Sequence, residues 1–149
     1  MKKHNVTENL IITGRRRIIK EGEFSKNENL RSVEMPDSVS IIRENAFWHC
    51  VNLETVKLSS KLKTIGPFAF FECYKLKAIT LPEGLESIGD SAFFKCLDLE
   101  EVVIPKSVKT IDEFAFGMCQ NLMRILIPKG ASVSENAFRE GTQCKIEYY

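Results

Sequence analysis

Apolar residues recur along this chain in a unit of 23 residues that is repeated about six times. The dipeptide Ala-Phe marks the unit most clearly, and in four copies a cysteine follows three residues after the phenylalanine. The pairs are Ala46-Phe47, Ala69-Phe70, Ala92-Phe93, Ala115-Phe116 and Ala137-Phe138, and the cysteines are Cys50, Cys73, Cys96 and Cys119. Self-similarity at a fixed period of this length is typical of solenoids. The pattern therefore predicts stacked coils that share one continuous core.

Each unit contains two stretches whose alternation is typical of short strands. In the fourth copy, Leu76, Ile79 and Leu81 are the apolar positions of the first stretch. Pro82 ends that stretch, because proline has no amide to donate to a sheet. Residues 108–111, Val-Lys-Thr-Ile, show the second stretch. Stacking the coils about 4.7–4.9 Å apart would join like side chains into columns.

The segment that carries Ala-Phe-x-x-Cys is predicted as a short helical turn. Gly66 or Gly89 would turn the chain just before it, and Asp90 or Ser91 has a side chain suited to capping it. The small alanine lets the turn approach the core, while the phenylalanine fills the middle of the coil. One coil cannot bury these residues alone, so we expect the core to depend on stacking.

The array is predicted to fill almost the whole chain. We assign residues 1–9 to an N-terminal tail and residues 10–149 to one solenoid of about six units. At the other end, residues 145–149 are predicted as a terminal strand, with Cys144 and Ile146 directed inward. No linker or second domain is indicated.

The first unit, residues 10–29, is interpreted as a degraded cap. Arg16 and Glu23 fall in columns that are apolar elsewhere, as expected for a terminal repeat that meets water on one side. The same unit carries the only dense basic cluster, Arg15-Arg16-Arg17 with Lys20 nearby. Such a cluster could contact phosphates, but a solvated turn on the cap is the preferred interpretation.

The repeating unit resembles the BspA-like, or treponemal, class of leucine-rich repeat. Residues 76–96 match Leu-x-x-Ile-x-Leu-Pro-x-x-Leu-x-x-Ile-Gly-x-x-Ala-Phe-x-x-Cys throughout, and the resemblance covers about residues 10–148. It implies an α/β repeat: a right-handed, horseshoe-like solenoid with a parallel β-sheet on one face and short helical turns. It also implies a role in protein binding or adhesion, often at the surface of host-associated bacteria. The family has no shared catalytic residue, so the resemblance implies that the chain is not an enzyme.

Composition narrows the classes of partner. The 21 Lys and Arg residues nearly balance 20 Asp and Glu, which leaves a formal net charge of +1. A nucleic-acid-binding domain is usually strongly basic, so no nucleic-acid partner is predicted. No apolar run approaches the roughly 18 residues of a membrane-spanning helix, so no membrane insertion is predicted.

The five cysteines are interpreted as free thiols. Four of them recur once per coil without any C-x2-C pair, so we predict small buried side chains and no metal site. An odd total without a pairing scheme favours a reducing compartment. We therefore expect a cytoplasmic protein as the sequence stands, or a surface or secreted one if the N-terminus is truncated.

Candidate catalytic residues are few. The two histidines are His4, in the predicted tail, and His49, which precedes Cys50. Adjacent side chains on a helical turn point in different directions, and Cys50 occupies a core column, so a thiol–imidazole pair is not predicted. We predict no catalytic residue, no cofactor and no metal.

Two surfaces are candidates for binding a protein partner of unknown identity. On the sheet face, the outward positions proposed for binding are Glu34, Thr55, Lys57, Thr80, Glu101, Val103, Arg124 and Leu126. An aromatic stripe on the turn side consists of Trp48, Phe71 and Phe94, with Phe68 and Phe114 beside it. An exposed stripe would favour the alternative function, a structural protein that assembles as a homo-oligomer. Alternatively, these rings pack against neighbouring coils as a second apolar layer.

Overall fold

A computed structural model of the chain describes residues 7–149, so His4 and most of the predicted tail lie outside the described residues. The described residues form a stack of coils with short parallel strands on two faces. The strands are β1 (Asn9–Ile11), β2 (Ile18–Ile19), β3 (Ser32–Glu34), β4 (Ile41–Ile42), β5 (Thr55–Lys57), β6 (Thr64–Ile65), β7 (Ser87–Ile88), β8 (Glu101–Val103), β9 (Thr110–Ile111), β10 (Arg124–Ile127), β11 (Ser132–Val133) and β12 (Lys145–Tyr148).

The first face consists of two three-stranded parallel sheets, ordered β1-β3-β5 and β8-β10-β12. The strands pair residues one repeat apart, as Val33 pairs with Val56. Between the two sheets, residues 78–80 contribute only an isolated bridge from Ala78 to Glu101. The first face is therefore interrupted at the fourth coil.

The second face is a continuous sheet in the order β11-β9-β7-β6-β4-β2. Its strands are two residues long and hold one buried residue each in most coils, such as Ile42, Ile65 and Ile88. The predicted Val-x-x-Ile stretch therefore forms a second parallel sheet, and the predicted parallel sheet of the first face is also present.

The prediction of short helical turns is wrong, because no helix is present in residues 7–149. In the Ala-Phe segment, Asn45 and His49 have left-handed backbones, with φ of 57° and 58°. A right-handed helix cannot continue through such residues, and each costs roughly 1–2 kcal/mol outside glycine. Ser91 also has a positive φ of 53° and donates its amide to the Glu113 carbonyl, so neither Ser91 nor Asp90 begins a helix.

Hydrogen bonds between coils take the place of the helix. The Phe47 amide donates to the Ala69 carbonyl at 2.8 Å, and the His49 amide donates to the Phe71 carbonyl at 2.7 Å. Between them, the Trp48 amide bonds within its own coil to the Asn45 carbonyl at 3.0 Å. Alternate amides therefore point along the stack, and these bonds offset the cost of the left-handed residues.

The core is built from columns of apolar side chains, and the clearest column is phenylalanine in every coil. The phenylalanine rings stack from coil to coil with centroids 5.2–5.9 Å apart; they are Phe24, Phe47, Phe70, Phe93, Phe116 and Phe138. The four inner rings are fully buried. Since each inner ring contacts one ring above and one below, the core exists only when coils are stacked.

The first and last described coils differ in the side chains that they place at the core columns. At the first coil, Arg16 and Glu23 form an ion pair at 2.5 Å, and Glu23 also accepts the Lys20 amide at 2.8 Å. This pair places charged groups at positions that are apolar in other coils. At the last coil, Ile146 points inward beside Ile125 but is 39% exposed, because no described coil covers it.

Candidate protein-binding surface

The residues predicted for binding on the sheet face lie along the first face of the solenoid. Seven of the eight are exposed, and Leu126 is half-buried. Their side chains alternate with the buried residues of β3, β5, β8 and β10, since neighbouring residues of a strand point to opposite sides. Thr80 lies in the interruption between the two sheets.

Opposite charges face each other across the strands of this face. Lys57 contacts Glu34 at 2.9 Å, one coil away. In the other sheet, Arg124 contacts Glu101 at 3.5 Å and Glu147 at 2.8 Å. The Arg124 hydrogen bond lowers the pKa of Glu147 to about 2. The Glu147 carboxylate is therefore charged at neutral pH.

A shallow groove of about 400 Å³ lies at the interruption of the first face. Ala78, Ile79, Leu81, Val103 and Pro105 supply its apolar lining. Val103 is 49% exposed, a large fraction for an apolar side chain on a strand. Thr80, Glu83 and Glu101 complete the lining. The groove therefore combines exposed apolar area with polar groups, as protein interfaces do.

The aromatic stripe lies on the turn side with its three rings half-buried. Phe71 and Phe94 stack at 5.2 Å between centroids, and Phe68 contacts Phe71 at 5.6 Å. Trp48 lies under the Lys26 ammonium, 5.0 Å from the ring centroid. Each ring therefore has a partner within the chain.

A glycine ends the stripe at the fifth coil. Gly117 occupies the position of Phe94 one coil later, and a Cβ built there would lie 2.6 Å from the Phe94 ring. Phe114 contacts the same ring edge-on at 6.3 Å. The Phe94 ring thus covers the backbone of the next coil.

His49 and Cys50 do not form a thiol–imidazole pair. The His49 Nδ1 atom lies 2.7 Å from Glu72, whose other oxygen accepts a hydrogen bond from Lys95 at 3.0 Å. Burial opposes the charge of Glu72, but the hydrogen bonds from Lys95 and His49 outweigh it and lower its pKa. Burial also raises the pKa of Cys50 to about 12, so its thiol is protonated at neutral pH.

The cysteine column holds the turn to the core. Each of the four buried thiols donates to the phenylalanine carbonyl of the preceding coil at 3.1–3.4 Å. In the last coil, the Thr142 hydroxyl takes the same place and donates to the Phe116 carbonyl at 2.6 Å. The sequence reasoning missed Thr142, although its spacing of 23 from Cys119 could have revealed it.

We expect Cys144 alone to react rapidly with Ellman's reagent in the native protein. The other four cysteines are buried and protonated, with a pKa of about 12 at Cys50 and Cys119, whereas Cys144 is only half-buried. Because the thiolate is the reacting form, their reaction requires unfolding. Titration in guanidinium should then recover all five thiols; recovering fewer would contradict the assignment of free cysteines.

The other candidates from the sequence are the basic cluster, a metal site and a membrane-spanning segment. Arg16 of the basic cluster is engaged by Glu23, which leaves Arg15 and Arg17 exposed. Within residues 7–149, no group of three or more His, Cys, Asp or Glu side chains is placed to hold a metal ion. Those residues also contain no helix long and apolar enough to cross a membrane.

The parallel coils with their repeated apolar columns define a leucine-rich-repeat solenoid. The sequence pattern of the BspA type leucine rich repeat region matches six copies, over residues 2–123 and 41–148. The chain belongs to this family. Leucine-rich repeat proteins are generally non-enzymatic binding modules. Comparison with curated proteins gave no match.

Solved structures share this fold. The T. pallidum leucine rich repeat protein is 25% identical with a TM-score of 0.81, over 97% of this chain and 74% of that one. A leucine rich cell surface protein of Faecalibacterium prausnitzii A2-165 is 28% identical with a TM-score of 0.64, over 95% and 32%. The pneumococcal vaccine antigen PcpA, 22% identical with a TM-score of 0.84 over 95% and 36%, shows the fold alone. This chain spans only about a third of the last two proteins.

Proposed function

We propose that the chain is a non-enzymatic recognition module of the adhesion type, which binds a protein partner on its first face. The observation that carries the proposal is the apolar groove at the fourth coil, with Val103 exposed in it and charged sheets on both sides. Exposed apolar area within a charged rim supplies binding energy at the centre and orientation at the edge. The surface role of the F. prausnitzii relative is consistent with this proposal.

The rigidity of the face supports the same proposal. Parallel strand pairing fixes the spacing of Glu34 and Lys57, and of Glu101 and Arg124, at one coil. A partner with a complementary charge pattern would meet groups that are already ordered, so it would lose little side-chain entropy on binding.

The experiment compares proteins captured from native lysate by the wild type and by surface variants. Val103→Arg should abolish capture of the partner, because it places a charge in the groove without changing a core residue. The double change Glu101→Arg with Arg124→Glu should weaken capture, because it reverses the charge pattern of the face. As a matched control, Lys63→Glu with Glu86→Lys reverses an ion pair of 3.9 Å on the other side and should leave capture unchanged. Identical captured partners for Val103→Arg and wild type would refute the assignment of this face.

The aromatic stripe remains the basis of the alternative function, a self-assembling structural protein. The stacking of Phe71 on Phe94, and of Phe94 over Gly117, favours the second apolar layer. Seven of the eight residues of the first face are exposed, whereas the three rings of the stripe are half-buried, so the first face is the preferred binding site.

A further inference from the structure

The two walls of the groove on the first face carry backbone groups that are not hydrogen-bonded to each other. In the next coil, the Ile104 amide donates to the Leu126 carbonyl at 2.9 Å. The equivalent groups one repeat earlier are the Leu81 amide and the Val103 carbonyl, and both residues line the groove. Within residues 7–149, the Leu81 amide donates no hydrogen bond. Because an unpaired amide is costly in a residue that is only 7% exposed, this amide is suited to donate to a bound carbonyl.

The ionisable side chains that line the groove are both carboxylates. Glu101 is already held by Arg124 of the same chain, at 3.5 Å. Glu83 is exposed and forms no ion pair with any residue of the described chain, including Lys106, its equivalent one repeat later. Glu83 is therefore the charged group of the groove that is open to a partner, and its negative charge favours a cation.

Exposed apolar area lies on the same groove, a short distance from Glu83. Val103 is 49% exposed, and Leu126, its register partner in β10, is half-buried. Thr80 is the equivalent of Val103 one repeat earlier, and Glu83 follows Thr80 by three residues. Three residues of extended chain span about 10 Å. The groove thus presents an apolar centre and a carboxylate about 10 Å apart along its length.

We propose that the groove binds an extended segment of the protein partner, in which a leucine-like side chain and a lysine or arginine stand two residues apart. Side chains two residues apart on an extended segment point to the same side, so both face the groove. The aliphatic side chain contacts Val103, the longer cationic side chain reaches Glu83, and a carbonyl of the segment accepts a hydrogen bond from the Leu81 amide. This assignment rests on the proposed function and specifies the chemistry of the partner.

Nuclear magnetic resonance of the isotope-labelled protein, titrated with synthetic peptides, tests the assignment. The probes are acetyl-Ser-Leu-Ser-Lys-Ser-amide and acetyl-Ser-Lys-Ser-Leu-Ser-amide, so that both directions of the segment are covered. The matched acidic peptides have glutamate in place of lysine. A basic peptide should shift the amide resonances of Leu81 and Val103 and saturate at millimolar concentration. Its acidic counterpart should bind about fivefold more weakly at low salt, because an attraction to Glu83 becomes a repulsion.

Three variants test the roles of the groove residues. Glu83→Lys should reverse the order of affinity, so that the acidic peptide binds more tightly than the basic one. Val103→Arg should abolish binding of the basic peptides. Glu44→Lys is the matched control, since it makes the same change at an exposed carboxylate outside the first face, and it should leave the order of affinity unchanged. An unchanged thermal melt shows that each variant is folded.

Four results would each overturn the proposal: no binding of either basic peptide, equal affinities of basic and acidic peptides, shifts confined to amides outside the groove, or an order of affinity that Glu83→Lys leaves unchanged. If Val103→Arg nevertheless abolishes capture from lysate, the first face binds a partner of different chemistry, and only this inference fails. If Val103→Arg leaves capture unchanged, the proposed function fails with it.

Discussion

Replacing Phe93 by alanine should lower the free energy of unfolding by about 3–5 kcal/mol. Phe93 is fully buried, and its ring stacks between Phe70 and Phe116 with centroids 5.3 Å away on both sides. The loss combines the transfer of the ring to water with a cavity that fixed coil spacing prevents from collapsing. Both neighbouring rings also lose a stacking partner at once.

Equilibrium unfolding in urea, followed by circular dichroism, measures this effect. Phe138→Ala is the matched control, because Phe138 ends the same column, is only partly buried and stacks on one ring, Phe116. We expect it to cost clearly less than Phe93→Ala. Equal losses at the two positions would mean that stability does not reside in the stacked column.

The core of this protein could be predicted from its sequence because its burial is periodic. A column such as Phe47, Phe70 and Phe93 is buried for one reason, repeated in every coil, so that the spacing of 23 residues is sufficient evidence. The same logic predicted the buried cysteines. Periodicity reveals which side chains share an environment, and it does so without any knowledge of backbone conformation.

The conformation of the Ala-Phe segment could not be predicted in this way. Local propensity favours a helical turn there, but the Phe47 and His49 amides bond to the neighbouring coil. Those bonds require left-handed residues such as Asn45 and His49, which a local pattern does not indicate. Contacts between coils therefore override local preference, as tertiary structure commonly does.

The outward position of the candidate site residues could be predicted from the sequence. Residues one strand apart, such as Glu34 and Lys57, were assigned to the outward side of the sheet face, and the structure shows them exposed. Their ion pair could have been inferred from opposite charges 23 residues apart. The groove could not be predicted from the sequence, because it lies where residues 78–80 do not form a strand. Alanine at position 78 is a weak strand former, but so small a signal does not predict an interruption.

Gly89→Ala should destabilise the fold by about 1–3 kcal/mol, although it adds a single methyl group. A Cβ at Gly89 would lie 2.7 Å from the Pro67 nitrogen and 2.9 Å from the Gly66 carbonyl carbon. Both atoms belong to the backbone of the preceding coil, so no side chain can move aside. The sequence predicted that this glycine turns the chain; its role here is to let two coils approach.

The surroundings of Gly89 determine how large the effect will be. The same column holds Arg43 and Asp112, which are exposed, whereas Gly66 and Gly89 are buried. A Cβ at Gly66 would likewise lie 2.8 Å from the Ile42 carbonyl oxygen of the preceding coil, so relief of such a clash requires the coils to separate. Separation would weaken the hydrogen bond from the Gly89 amide to Ile65, now 2.9 Å long.

Gly130→Ala is the control for this substitution, since a Cβ there meets nothing within 4 Å. It should change stability little, or raise it by about 0.4–1 kcal/mol through lower entropy of the unfolded chain. Urea unfolding of both variants gives the comparison, and similar free energies for Gly89→Ala and Gly130→Ala would show that the coils can separate freely. The expected difference follows from the solenoid itself, because each coil is positioned only by the coils above and below it.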